Sequence, residues 1–179
     1  MVYNPAGLAI ISGDDNSGDN NQHTIDNEGQ KDFLVLQFDR NVKLTTAKFT
    51  TYSVLGADPK DSDATIMVGD SNVFYQNSIA SLLNDKNSSV LSTVFNKGSW
   101  ESLGGATDNT RDINPNRLYG DIWLIGASFV NADGRIDGFK LSNLAVIPEP
   151  ATWAMMIGGL GLVGGIARRR KAVNRATAA

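Results

Sequence analysis

Short apolar runs alternate with polar, turn-forming stretches along most of the chain. Phe33-Leu-Val-Leu-Gln-Phe38 predicts a buried strand. Asp39-Arg40-Asn41 predicts a turn after it. Val42 to Ser53, rich in Thr and aromatic residues, predicts a second strand. Val42 and Leu44 share one face while Ala47 and Phe49 fall on the other, which predicts a bulge or bend near Thr45-Thr46. Thr65–Val68 and Asn72–Tyr75 predict a hairpin around Gly69-Asp70-Ser71, and Ser78–Asp85 predicts one or two helical turns. Val90–Phe95, a short segment around Trp100, Ile122–Val130 and Arg135–Ile147 predict further strands. Residues 13–32, 56–63 and 104–117 read as loops. Seven or eight short strands with at most one helix predict an all-β fold, an antiparallel β-sandwich of jelly-roll-like form.

The pattern changes after Ile147. Pro148-Glu149-Pro150 leads into an uncharged apolar run, Ala151 to Ile166, and then into Arg168, Arg169, Arg170 and Lys171. As one C-terminal apolar helix the run would extend roughly 25 Å, just under a ~30 Å hydrocarbon core. That is marginal for a permanent span and adequate for a transient one. Gly158, Gly159, Gly161, Gly164 and Gly165 disfavour a buried helix in water but suit a membrane helix. The basic cluster would stay cytoplasmic and everything before Pro148 would lie outside. The expected organisation is an N-terminal segment 1–21, a β-sandwich domain 22–147, a sorting signal 148–171 and a tail 172–179.

Pro148-Glu149-Pro150, Trp153-Ala154, the Gly-rich run and the Arg cluster together resemble a bacterial PEP-CTERM sorting signal. The resemblance implies recognition by an exosortase, a membrane-embedded cysteine transpeptidase-like enzyme that cuts near the Pro-Glu-Pro motif. It also implies a Gram-negative, often exopolysaccharide-producing host. The eight residues beyond Lys171 depart from the family pattern. His23-Thr-Ile-Asp26-Asn27, Asp32-Phe-Leu-Val-Leu-Gln-Phe38, Val42-x-Leu44, Asp61-Ser-Asp63, Ile122-Trp-Leu-Ile-Gly-Ala127 and Asp137-Gly-Phe-Lys-Leu141 also follow an order that resembles an exosortase-dependent surface-protein family. That second resemblance implies location more than activity.

Charge sharpens the division. Residues 1–150 carry 11 Lys and Arg against 19 Asp and Glu, a net −8, whereas residues 151–179 carry five basic residues and no acid, a net +5. An acidic body argues against nucleic acid as a partner. The chain has no cysteine, which excludes disulfides, thiolate metal sites and a Cys nucleophile. A single histidine, His23, makes a Ser-His-Asp triad or His-based zinc chemistry a poor fit. No enzyme activity is expected, and a secreted hydrolase is the least favoured alternative. Met1 to Ser12 lacks Lys and Arg, and its apolar part is too short for a secretory signal, so a leader is expected upstream of Met1.

Asn131-Ala-Asp-Gly-Arg-Ile-Asp137 resembles a calcium loop in part. With Gly134 at loop position 6, however, positions 1 and 12 fall on Phe129 and Lys140, which cannot be ligands. A Gly-supported β-turn is the better reading. Asp26, Asn27, Asp61, Asp63 and Asp137 form a looser set of oxygen ligands, read either as solvated loop residues or as a calcium site gathered at one end of the sandwich. No cofactor is required beyond that. Trp100, Tyr119, Trp123 and Tyr75 are candidate contacts for a glycan, with core packing as the alternative, and Trp100 and Tyr119 are carried forward as the possible contacts. The expected role is an exported cell-surface or extracellular matrix protein, sorted by an exosortase and transiently anchored in the inner membrane. The alternative is a carbohydrate-binding module for exopolysaccharide.

Overall fold

A computed structural model describes residues 2–4, 7–11, 23–71, 88–149 and 155–163. The chain divides into two compact units, Met1–Ile147 and Pro148–Ala179. In the first, the described strands are β1 (Val2–Asn4), β2 (Gly7–Ala9), β3 (Ile25–Asp26), β4 (Phe33–Thr51), β5 (Ala64–Gly69), β6 (Gly98–Ser102), β7 (Asn109–Asp112), β8 (Gly120–Ala127) and β9 (Gly138–Pro148), with a helix α1 (Ser88–Val94) before β6. They join as one sheet in the order β1-β2-β9-β4-β8-β5-β6; β3 also pairs with β9, and β7 with β4. The pairs β1–β2, β2–β9, β3–β9, β4–β7, β4–β8, β5–β6 and β5–β8 are antiparallel. The body is therefore all-β, as its alternating pattern predicts.

β4 organises the sheet. Its first half pairs with β8, from Phe33↔Gly126 to Gln37↔Ile122, and the register then shifts before Val42↔Gly120. Its second half pairs with β7, from Thr46↔Asp112 to Phe49↔Asn109. Val42, Leu44, Ala47 and Phe49 are all buried, so the face reversal read near Thr45-Thr46 falls where β4 changes partner. Asp39-Arg40-Asn41 is not a turn between two strands; it lies inside β4, in the register shift. At ~3.3 Å per residue a straight 19-residue strand would measure about 60 Å. The irregularity lets one strand serve two stretches of sheet, an arrangement consistent with a sandwich. Trp100 Nε1 donates to Ile113 O at 3.0 Å, drawing β6 towards the segment after β7.

The main core lies along β4, β5, β8 and β9. It includes Ile25, Leu44, Phe49, Ile66, Trp123, Ile125 and Phe139, each fully buried. Phe49 and Phe139 meet edge to face, with centroids 4.8 Å apart at 86°. A second cluster joins Val94 and Phe95 to Ile122 and Leu124 on the other side of β8. Buried on both faces, β8 reads as the near-continuous apolar run Ile122–Ala127.

Other expectations change too, and the loop read at 13–32 contains β3. Val90–Phe95 is not a strand: Ser88–Val94 is helical, and Leu91, Val94 and Phe95 recur at the i, i+3, i+4 spacing that turns one helix face towards the second cluster. The loop expected at 104–117 contains β7. β5 pairs with β6 and β8. The predicted hairpin partner Asn72–Tyr75 and the predicted helix Ser78–Asp85 lie outside the described residues.

In the second unit, residues 155–163 form a helix, α2. Met155, Ile157, Leu160, Leu162 and Val163 are each more than 60% exposed. No helix among the described residues is long and apolar enough to cross a membrane. The remainder of the run expected to span, Ala151–Ala154 and Gly164–Ile166, lies outside those residues.

Candidate functional site

Three loops converge beside the start of β9. Asp61 and Asp137 form an isolated parallel bridge, and Gly138 N donates to Asp61 O at 3.0 Å. Asp63, two residues on, donates its N–H to Asp137 Oδ1 at 2.9 Å. Asn27 clamps Asp137 from the end of β3: its Nδ2 donates to Asp137 Oδ2 at 2.6 Å, and Asp137 N donates back to Asn27 Oδ1 at 2.9 Å. Asp61 and Asp137 are buried and Asp63 is half-buried, with one carboxylate oxygen from each within 4.8 Å of the others. Oxygens bound to one calcium at 2.3–2.6 Å stand at most about 5 Å apart, so this spacing fits a single ion. The three carboxylates make a hard-oxygen set of the kind calcium takes, with the Asn27 amide committed to Asp137.

The electrostatics are unbalanced. Burial, then the charges of Asp63 and Asp61, push the Asp137 carboxyl up to about 8. Burial also raises Asp61, and the Asp63 and Asp133 carboxyls beside it act in the same direction. Arg111 is a partly buried cation within electrostatic reach of Asp63, Asp137 and Asp61. Its guanidinium lies 3.9 Å over the Phe49 ring and donates to Ser62 O, Ser102 Oγ, Ser102 O and Asn109 Oδ1. The neutral oxygens take these N–H groups, so its charge reaches the acids through space only. Arg135 Nη1 stands 3.7 Å from Asp61 Oδ2 on a half-exposed side chain, a weak surface pair.

Asp26 takes a different role. Its Oδ2 accepts from Thr24 Oγ1 and its Oδ1 from Glu28 N, both at 3.1 Å. Asp133 and Arg135 belong to the Asn131–Asp137 stretch read as a β-turn, and Arg111 has no signal in the sequence. Asp133 sits on the predicted β-turn, where Gly134 N donates to Asn131 O at 3.3 Å and Asn131 and Gly134 both have positive φ.

Asp63 is held from the other side by Gly104, whose N–H reaches its Oδ1 at 2.5 Å. A Cβ at Gly104 would stand 2.5 Å from Ser62 O, a backbone atom that cannot swing aside. Gly104→Ala is therefore expected to displace this loop and cost about 1–3 kcal/mol. Thermal unfolding would show it, and an unchanged midpoint would mean the loop yields freely.

The aromatic candidates are engaged. Trp100 is half-buried, edge to face with Trp123 at 6.5 Å, and Trp123 is fully buried. Tyr119 lies under the Lys43 ammonium at 5.3 Å. Tyr75 lies outside the described residues. In the tail, Pro148 ends β9 and Glu149 follows it; Pro150, Trp153, Arg168, Arg169, Arg170 and Lys171 lie outside the described residues.

Residues 146–171 match the family model of the PEP-CTERM protein-sorting motif. The chain thus carries a PEP-CTERM protein-sorting motif over residues 146–171, and that motif supports exosortase-dependent export and sorting to the cell surface. No curated protein and no solved structure matches the chain.

Proposed function

We propose that the β-body is a structural component of the envelope or extracellular matrix, delivered by an exosortase and non-catalytic. The observation that carries the reading is the sorting match at 146–171, directly after a compact β-unit. The absence of cysteine and the single histidine support a role without nucleophilic chemistry. In this reading the apolar run inserts transiently into the inner membrane, with Arg168–Lys171 cytoplasmic and the body on the periplasmic side. Mass spectrometry of the exported protein should find a mature chain ending near Pro148–Ala151. A chain that keeps Ile166 and the Arg cluster would make the protein a plain membrane-anchored one.

We further propose that calcium braces the body at Asp61, Asp63 and Asp137, with Asn27 holding Asp137 in place. The supporting observation is the convergence of three carboxylates onto one ion-sized space. Extracellular sites of this kind bind at about 0.1–1 mM. Thermal unfolding in calcium against EDTA tests it, and an identical midpoint in the two would overturn it.

A further inference from the structure

The sorting match begins at Val146, yet β9 runs to Pro148, so the last three residues of the body's final strand belong to both. The strand is held unevenly. Gly138–Leu141 are buried, Phe139 against Phe49, whereas Ser142 and Asn143 are exposed and the residues after them only partly covered. Val146 and Ile147 are 40% and 43% exposed. Beyond Leu141 the side-chain hydrogen bonds to β4 are two exposed ones, Ser142 Oγ to Lys48 O at 3.1 Å and Thr50 Oγ1 to Ser142 Oγ at 3.2 Å, and a long, part-buried one, Thr45 Oγ1 to Ala145 O at 3.4 Å. Pro148 has no N–H to offer a neighbouring strand, and a residue before proline is held extended, as Ile147 and Glu149 both are.

Reach decides what this means. With β9 zipped to its end, Pro150 can extend only about 7 Å beyond Pro148. A backbone hydrogen-bonded in a sheet cannot at the same time lie in an enzyme's cleft. Freeing residues 143–148 adds six residues, about 20 Å, and uncovers, among large apolar side chains, only the part-buried Leu144 and the covered parts of Val146 and Ile147, while the fully packed Phe139 and Leu141 keep the rest of the strand anchored. We propose that the 143–148 end of β9 is a release segment: the sorting enzyme engages the motif only after this end has left the sheet, so the body's own stability gates its processing. This rests on the exosortase reading above.

The test uses the full chain behind a secretory signal, in a host with an exosortase and in the same host without it, followed by pulse-chase. Unaltered protein that is processed equally in both hosts, or in neither, would overturn the exosortase reading itself. Given dependence on the enzyme, two changes probe the gate. A Gly-Ser-Gly-Ser spacer between Ile147 and Pro148 should speed processing, by ~10-fold if the end is free about a tenth of the time. The pair Thr45→Cys and Ala145→Cys, in a chain with no other cysteine, should slow it at least as much once thiol titration shows the bridge closed, and the spacer should restore the bridged chain. A spacer without effect would overturn the proposal even if the bridge never closed; so would a bridged chain processed at the normal rate.

Discussion

Replacing Asp63 by Asn is expected to raise the melting temperature in EDTA and to abolish the rise that calcium gives the unaltered protein. Asp63 uses Oδ1 to accept from Gly104 N. An asparagine can keep that acceptor and turn its amide towards Asp61 and Asp137, so one of three clustered carboxyls becomes a neutral donor to the other two. In metal-free protein this relieves repulsion. A gain of about 1–2 kcal/mol corresponds to roughly 2–8 °C. The same change deletes a hard ligand. Calcium at a hundredfold excess over its dissociation constant should stabilise the unaltered fold by about 2.7 kcal/mol, and the Asp63→Asn variant by almost nothing. The pH dependence follows from Asp137, whose carboxyl is held at about 8 in the fold. Unfolded, it titrates near 4, so between those values the folded state holds the extra proton. Stability in EDTA is then fully present below about pH 4 and is lost as pH rises towards 8. Calcium should flatten that decline, and Asp63→Asn should lessen it. An Asp63→Asn variant that melts lower in EDTA, or still responds to calcium, would sink the ion-site reading.

The parts of the molecule that were legible in the sequence are those written in apolar periodicity. β8 stands out because it is buried on both faces, and β9 because Phe139 and Leu141 alternate with polar neighbours. β7 was not legible: Asn-Thr-Arg-Asp carries no apolar residue and is held by its ladder with β4. Leu91, Val94 and Phe95 satisfy a short buried strand and a helix face equally well, and only the second cluster decides for the helix. At the candidate ion site the carboxylates were visible as loop acids, but which ones meet depends on alternation. Asp26 and Asn27 are adjacent, and successive side chains along an extended chain diverge, so Asn27 meets Asp137 while Asp26 turns to Thr24 and Glu28. Arg111 reaches the cluster through the fold of β7 with no local pattern to announce it, whereas Asp133 lies on the 131–134 turn that Gly134 announces.

The anchored end of β9 should carry far more stability than its free end. Phe139 is fully buried, meets Phe49 edge to face, and lies opposite Ile25 in the β3–β9 pairing. Phe139→Ala is expected to cost about 3–5 kcal/mol through lost burial and the cavity left behind. At 2–4 °C per kcal/mol that lowers the midpoint by roughly 6–20 °C. Val146→Ala, in the same strand but 40% exposed, should cost well under ~1 kcal/mol. Thermal unfolding of the two variants in calcium measures the contrast, and equal losses would mean that β9 is held evenly along its length. Because Asp137 stands two residues before Phe139, the damage should spread. The Phe139→Ala variant should show a smaller calcium-induced rise, since the strand that presents Asp137 to Asp61 is no longer fixed by its aromatic anchor. A full calcium response in that variant would place the rigidity of the ion site in the Asn27 clamp and the Asp61 bridge instead.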